Sequence, residues 1–255
     1  MERILIIALL LFAKISFAYD ISVVSDLDDT LKITNVQSMA EAARNALFSK
    51  KAFQGMPRLL EKMESYSNDL YILTASPKFL NKPIKKFLSY NDILIKDIFM
   101  RSLTREADKK KYKYKSLQKI LELTLGDKLI LIGDNTQVDE SVYLQIKSEY
   151  PDRVEAIYVR KIKDKPSAKG VFPFYTAYGI ALAEYKSGRL SLVQVLDIGK
   201  SILLTKDLKQ YIPKFAYCPK RKSEFPRVTV STLALMTKQV RKKITSFCLD
   251  RLPSH

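Results

Sequence analysis

Four short apolar runs, 21–25, 70–74, 129–133 and 154–160, are separated by longer amphipathic stretches, and each leads into polar residues at its end. Runs this compact suit strands of a sheet covered on both faces, because a strand with one wet face alternates polar and apolar residues instead. A single helix between successive strands requires crossover connections and therefore a parallel sheet. A fifth short strand is expected at 98–100. Helices are expected at about 38–49, 56–66, 77–88, 115–125 and 139–150. Pro57 and Pro77 fall at two of their starts, where a missing N–H costs little. The expected fold is α/β, a three-layer sandwich around a central parallel sheet, with a minimal cap.

Beyond Arg160 the pattern changes to a basic loop at 161–169, helices at 175–186 and 190–204 broken at Gly188, and a Pro- and Lys-containing linker at 218–227. The last helix, 231–247, places Leu233, Met236, Val240, Ile244 and Phe247 on one face, with Lys238, Arg241, Lys242 and Lys243 mostly off it. Such a helix either lies on a membrane surface or packs its stripe on the domain. The chain thus divides into a leader at 1–18, an α/β domain at 19–190 and a basic, mostly helical extension at 191–255.

The leader is read from Arg3, an unbroken apolar run at 4–13 and Ser16-Phe17-Ala18 as a small-residue cleavage site. The run is too short to span a bilayer, and Lys14 follows it. Export to a periplasm or beyond the cell is expected. Cys218 and Cys248 lack the paired spacing of a zinc site. In an oxidising compartment they would form a disulfide closing the tail, and two structural thiols are the other reading.

The one histidine is the last residue, His255. That excludes a Ser-His-Asp or Cys-His arrangement, a histidine general base and a histidine-bearing zinc or iron site. Chemistry in this chain must run on carboxylates, lysines, hydroxyls and a hard metal. The formal charge of +17, lowered by one if Arg3, Lys14 and Glu2 leave with the leader, points to an anionic partner: a lipid surface, a phosphorylated small molecule or nucleic acid.

In parallel sheets reactive groups gather beyond the carboxyl ends of the strands. Asp26 and Asp28, two apart at the end of the first run, can both face the crevice. A calcium loop there would need a turn glycine and further oxygen ligands, which Leu31-Lys32-Ile33 does not supply. Thr74 ends the second run and could bind a phosphoryl oxygen, with Ser76 as the cap of the next helix. In the lysine-rich stretch 109–119, Lys115 is the choice because it opens the expected helix. Gly133-Asp134 ends the third run, with Asp139 five residues on, and the glycine permits close approach of the backbone.

In this order, Asp26-Leu27-Asp28-Asp29-Thr30, Thr74, Lys115 and Gly133-Asp134-Asn135-Thr136-Gln137-Val138-Asp139 resemble the four motifs of the haloacid dehalogenase superfamily. Within it, Ser25 to Lys32, Tyr71 to Pro77, Leu129 to Tyr143 and Tyr150 to Arg160 resemble the catalytic domain of the actin-patch-associated phosphatidate phosphatases. The likeness runs from about 21 to 162, with a thinner trace to 190. The chain departs from the pattern at Asn135-Thr136, where a Ser-Gly pair is usual, and at Lys78-Phe79. The larger members also carry a β-sandwich domain upstream.

The resemblance implies catalysis by Asp26, forming an aspartyl phosphate, and by Asp28 as proton shuttle. It implies Mg²⁺ held by Asp26, Asp134, Asp139 and the backbone carbonyl of Asp28, and phosphate binding by Thr74 and Lys115. The expected partner is a phosphorylated substrate, with phosphatidate at a membrane surface foremost. Nucleic acid is not expected, and no protein partner is evident. The rival readings are a phosphomonoesterase acting on soluble esters and a basic membrane- or nucleic-acid-binding module with a relic site.

Overall fold

The structure is a computed structural model and describes residues 20–38, 41, 45, 47, 49–221, 224–226 and 228–251. The expected leader, most of the expected helix at 38–49 and His255 lie outside the described residues. In chain order the elements are β1 (Ile21–Ser25), α1 (Met56–Met63), β2 (Asp69–Pro77), α2 (Asn81–Tyr90), β3 (Asp97–Arg101), α3 (Lys109–Leu123), β4 (Lys128–Asp134), α4 (Asp139–Glu149), β5 (Val154–Arg160), β6 (Phe172–Phe174), α5 (Ala177–Lys186), α6 (Leu192–Leu204) and α7 (Ser231–Leu249).

The sheet has the order β3-β2-β1-β4-β5-β6, and every pairing is parallel. From β1 the chain builds outward through β2 to β3, then returns to the other side of β1 and builds through β5 to β6. The order therefore reverses between β1 and β4, and it is at such a reversal that a crevice opens beyond the strand ends.

Alternation along the strands divides the interior into two cores. Val23, Ile72, Ile130 and Ile132 face one side, with Leu59 of α1, Phe87 of α2 and Ile180 of α5. Val24, Leu73, Leu129 and Leu131 face the other, with Leu117 of α3 and Val142 of α4. Burial on both faces explains why each central strand reads as a continuous apolar run. The helices beyond 190 join the first core through Val195, Ile198, Leu233, Val240 and Ile244, so α6 and α7 share the interior of the α/β layers. A β-carbon on Gly199 would lie 2.3 Å from the Met236 sulfur and 2.8 Å from the Tyr178 ring, so the glycine leaves room for both side chains where α7 meets α6.

Cys218 and Cys248 are joined in a disulfide that ties the end of α7 to the preceding loop. Nearby, the Arg251 guanidinium donates to the carbonyls of Ile212 and Pro213. The stripe on α7 is one of the two arrangements expected from the sequence, the one packed inward. Among the described residues no helix is long and apolar enough to cross a membrane.

A buried charge network locks α5 to the sheet. Glu184 is fully buried and accepts from Arg189 Nε at 2.7 Å, from Arg189 Nη2 at 2.9 Å and from Tyr66 Oη at 2.6 Å. Tyr158 of β5 also donates to it, and Arg189 Nη1 reaches Glu155 at 2.7 Å. Breaking one partner of such a pair strands the other charge away from water. Glu184→Ala should destabilise the protein by about 3–5 kcal/mol, read as a lowered midpoint in urea unfolding; a change within about 0.5 kcal/mol would refute this assignment.

Candidate active site

The end of β1 is extended by one rung, because the Asp26 N–H donates to the Ile132 carbonyl of β4 at 2.8 Å. That bond fixes Asp26 at the reversal of strand order with its carboxylate just beyond the sheet. The chain then turns back sharply. Leu31 and Lys32 N–H both donate to the Leu27 carbonyl, and Asp29 takes a left-handed backbone conformation with φ 58°. The Asp29 carboxylate is buried beneath this turn and accepts the backbone N–H groups of Thr34, Asn35 and Val36 at 3.0, 2.7 and 2.7 Å. Of the three clustered aspartates, Asp26 and Asp28 are thus left for the crevice, while Asp29 braces their loop.

Asp28 is held from both sides. Its Oδ1 accepts from Thr34 Oγ1 at 2.8 Å, and its Oδ2 from Ser76 Oγ at 2.7 Å and Thr74 Oγ1 at 3.3 Å. The ladder between β2 and β3 slips between Thr74 and Pro77, and in this irregular stretch Ser76 turns its hydroxyl onto Asp28. Ser76 is therefore a contact of the acid pair and not the helix cap expected from the sequence. Pro77 ends β2 and is followed by a 3-10 turn at Lys78–Leu80 before α2 begins.

On the other side of Asp26 stands the ammonium of Lys113. It donates to Asp26 Oδ1 at 2.7 Å and to Asp139 Oδ1, and is itself only 3% exposed. The lysine expected here was Lys115, which is exposed on α3. The reason for the difference is the start of the helix. Asp108 caps it, its carboxylate accepting the N–H groups of Lys110 and Lys111, so α3 begins six residues before 115 and Lys113 lies inside it. Lys113 shares a face with Leu117, Ile120 and Leu121, all buried, at spacings of four, seven and eight. That register was present in the sequence and hidden by the surrounding lysines.

Asp134 ends β4 and Asp139 opens α4. A β-carbon on Gly133 would sit 2.7 Å from Asp139 Oδ2 and 2.9 Å from the Tyr143 ring, so the glycine admits the start of the next helix to the strand end. Asn135 anchors the loop, its Oδ1 accepting the N–H groups of Ile162 and Lys163, both at 2.8 Å. Behind the Asp26 loop lies Arg160, which sequence reasoning did not single out. It is buried between the rings of Phe53 and Phe174 and donates to the Thr30 carbonyl at 3.2 and 3.1 Å. Burial pulls its pKa down to about 9. A cation ending a largely apolar strand was the signal for it.

Oxygens of Asp26, Asp134 and Asp139 lie within 4.8 Å of one another. The Asp28 side chain is outside this cluster and is engaged by hydroxyls. Burial drives the Asp26 pKa well above the usual carboxylate range; Lys113 opposes this, while Asp139, Asp134 and Asp28 reinforce it. Asp134 is pushed up to about 7, by burial first and Asp139 next. Burial would discharge Lys113, but Asp139 and Asp26 outweigh it and hold the ammonium charged. With all three ionised, the carboxylates against one ammonium would leave two negative charges to be balanced, which is the charge of a divalent metal, and a set of oxygen donors suits a hard one. The residues present therefore fit a divalent cation.

Paired strand-end aspartates, a buried lysine and a second acidic loop at the reversal of a parallel sheet define the haloacid dehalogenase class of α/β folds. Residues 21–161 match the family described as phosphatidate phosphatase APP1, catalytic domain, and the chain belongs to that family. The uncharacterized protein C29B5.04c of Schizosaccharomyces pombe (strain 972 / ATCC 24843) is 26% identical over 152 residues, 56% of this chain. The chain spans 25% of the length of that relative. Among solved structures, one titled "Structure of Pnkp1/Rnl/Hen1 complex" shows 17% identity and a TM-score of 0.38, covering 54% of this chain and 45% of that one.

The contrast between the two lysines gives a direct test. In chelator, Lys113→Met should cost about 3–5 kcal/mol of stability, because it leaves buried carboxylates with no cation, and an added divalent metal should restore part of it. Lys115→Met should stay within about 0.5 kcal/mol. Equal behaviour of the two variants in denaturant unfolding would remove Lys113 from the centre.

Proposed function

We propose that the protein is a magnesium-dependent phosphatase that hydrolyses phosphatidate or a related lipid phosphate through an aspartyl phosphate on Asp26. One observation carries the reading: Asp26, Asp28, Thr74, Lys113, Asp134 and Asp139, from four separate stretches of sequence, meet at one rim in a chain of the phosphatidate phosphatase family. In the first displacement an Asp26 oxygen forms a bond to phosphorus while the ester oxygen leaves, and Asp28 gives that oxygen its proton. In the second, Asp28 takes a proton from water, and the hydroxide formed releases phosphate from Asp26.

Each residue has a property that suits its part. Asp26 must be ionised to attack, and Lys113 at 2.7 Å favours that state against the burial that opposes it. Asp28 must stay aimed at the same space in both steps, and the hydroxyls of Thr34 and Ser76, one on each oxygen, fix the orientation of its carboxyl group. Thr74 presents a hydroxyl beside Asp28, where a phosphoryl oxygen would accept from it. Asp26, Asp134 and Asp139, with the Asp28 carbonyl, would hold Mg²⁺, which when bound supplies charge neutralisation and Lewis acidity at the phosphoryl group. Lys113 takes the place the sequence had given to Lys115.

The substrate class rests on the family and on the +17 charge. Export is part of the same reading: the leader expected at 1–18 is supported by the Cys218–Cys248 disulfide, since such bonds persist in oxidising compartments. A mature chain beginning at Tyr19, read by N-terminal sequencing, is the expected result; a retained leader would sink it.

Phosphate release from phosphatidate vesicles tests the activity. Wild type should release phosphate in Mg²⁺ and stop in chelator, Asp26→Asn should be inactive, and Asp28→Asn should fall by about 10²- to 10⁴-fold. Release from a soluble aryl phosphate with none from vesicles would overturn the lipid reading in favour of a soluble phosphomonoesterase.

A further inference from the structure

The rim that carries the site also carries two large apolar side chains in solvent. Phe79 is 71% exposed and Leu103 is 51% exposed. Each lies two residues beyond the end of its strand, and those ends, Pro77 of β2 and Arg101 of β3, are paired in the sheet. Both side chains are therefore on neighbouring loops at the edge where Thr74 and Ser76 meet Asp28.

Cations surround them. Lys78, Lys82, Arg105, Lys110 and Lys111 are all exposed on the same loops and helix starts. The acids of this region are used locally: the Glu106 carboxylate accepts the Ser102 N–H at 2.7 Å, and Asp108 caps α3. What faces outward beside Phe79 and Leu103 is chiefly positive. Apolar anchors framed by lysines and arginines are the composition that seats on an anionic bilayer, with rings and branched side chains below the headgroups and cations at the phosphates. The basic C-terminal helix does not fill this role by insertion, because Leu233, Val240 and Ile244 of its stripe are buried in the core.

We propose that this rim is a membrane-docking surface, with Phe79 and Leu103 as its inserting anchors. The proposal rests on the lipid-phosphate reading and adds to it how the site meets a substrate that stays in the bilayer. Docking brings the crevice beside Asp26 to the headgroup plane, so the phosphate reaches Asp26 while the acyl chains remain among lipids.

Co-sedimentation with vesicles of phosphatidylcholine, with and without phosphatidylserine, separates binding from turnover, since neither lipid offers a phosphomonoester. Wild type should bind the anionic vesicles and release them as salt is raised. The Phe79→Ala/Leu103→Ala double variant should bind at least about tenfold more weakly while hydrolysing a soluble aryl phosphate at an unchanged rate. Equal vesicle binding by the two proteins, or no binding by wild type, overturns the proposal. Loss of soluble turnover together with binding also overturns it, because the side chains would then line the path of the substrate itself. Vesicle binding that depends on Phe79 and Leu103 in a protein that hydrolyses no phosphate ester supports the surface and refutes the enzymatic reading alone.

Discussion

The contact on which the centre depends is the ammonium of Lys113 between Asp26 and Asp139. Three carboxylates with oxygens within 4.8 Å of one another, all nearly out of water, repel strongly in a medium that screens poorly. Among the described residues this lysine is the one cation bonded directly to that set, and it comes from a helix whose other buried positions are apolar or hydroxyl-bearing. Its placement follows from the depth of α3 in the second core, so packing far from the crevice decides where the charge sits.

Much of the fold could be read in advance because the central strands are buried on both faces. Burial on both faces makes a strand read as an apolar run, and β1, β4 and, Glu155 apart, β5 stand where such runs stood, to within a residue at either end. The edge was harder. β6 is three residues, Phe172–Phe174, with Pro173 in its middle, and a strand that short, half of whose ladder is missing, leaves no periodic trace. The α7 stripe is displaced by one residue at two positions, with Thr237 and Cys248 buried beside Leu233, Val240 and Ile244. Helical period alone could not anticipate the approach over Gly199 or the pull of the disulfide.

The same division holds at the site. The aspartates were legible because they stand at the carboxyl ends of buried parallel strands, where reactive groups gather, although Asp29 beside them serves as a brace. Lys113 was obscured because five lysines between 109 and 115 make any single one look solvated, and only the apolar residues later in the helix fix which of them turns inward. Ser76 was misread for a related reason. A serine before a proline is a good helix cap, and only the irregular pairing of β2 with β3 shows that its hydroxyl is committed to Asp28. Thr34 had no signal at all, since its part depends on a turn built by Asp29 from beneath.

Two buried charge networks in this molecule show how compensation distinguishes structure from chemistry. Around Glu184, Arg189 supplies a bidentate partner, two tyrosine hydroxyls satisfy the remaining lone pairs, and Glu155 takes the spare guanidinium nitrogen. Nothing there asks for another ligand, and a network so closed serves to hold elements together. Around Asp134 the account stays open: its carboxyl is pushed up to about 7 by burial and by Asp139, and the Lys113 ammonium is bonded to Asp26 and Asp139 instead. An uncompensated buried carboxylate destabilises the chain that carries it, and a cation held by Asp26, Asp134 and Asp139 would relieve that cost. The difference between these networks, and not the number of charges in either, is what singles out the strand-end cluster as the candidate site.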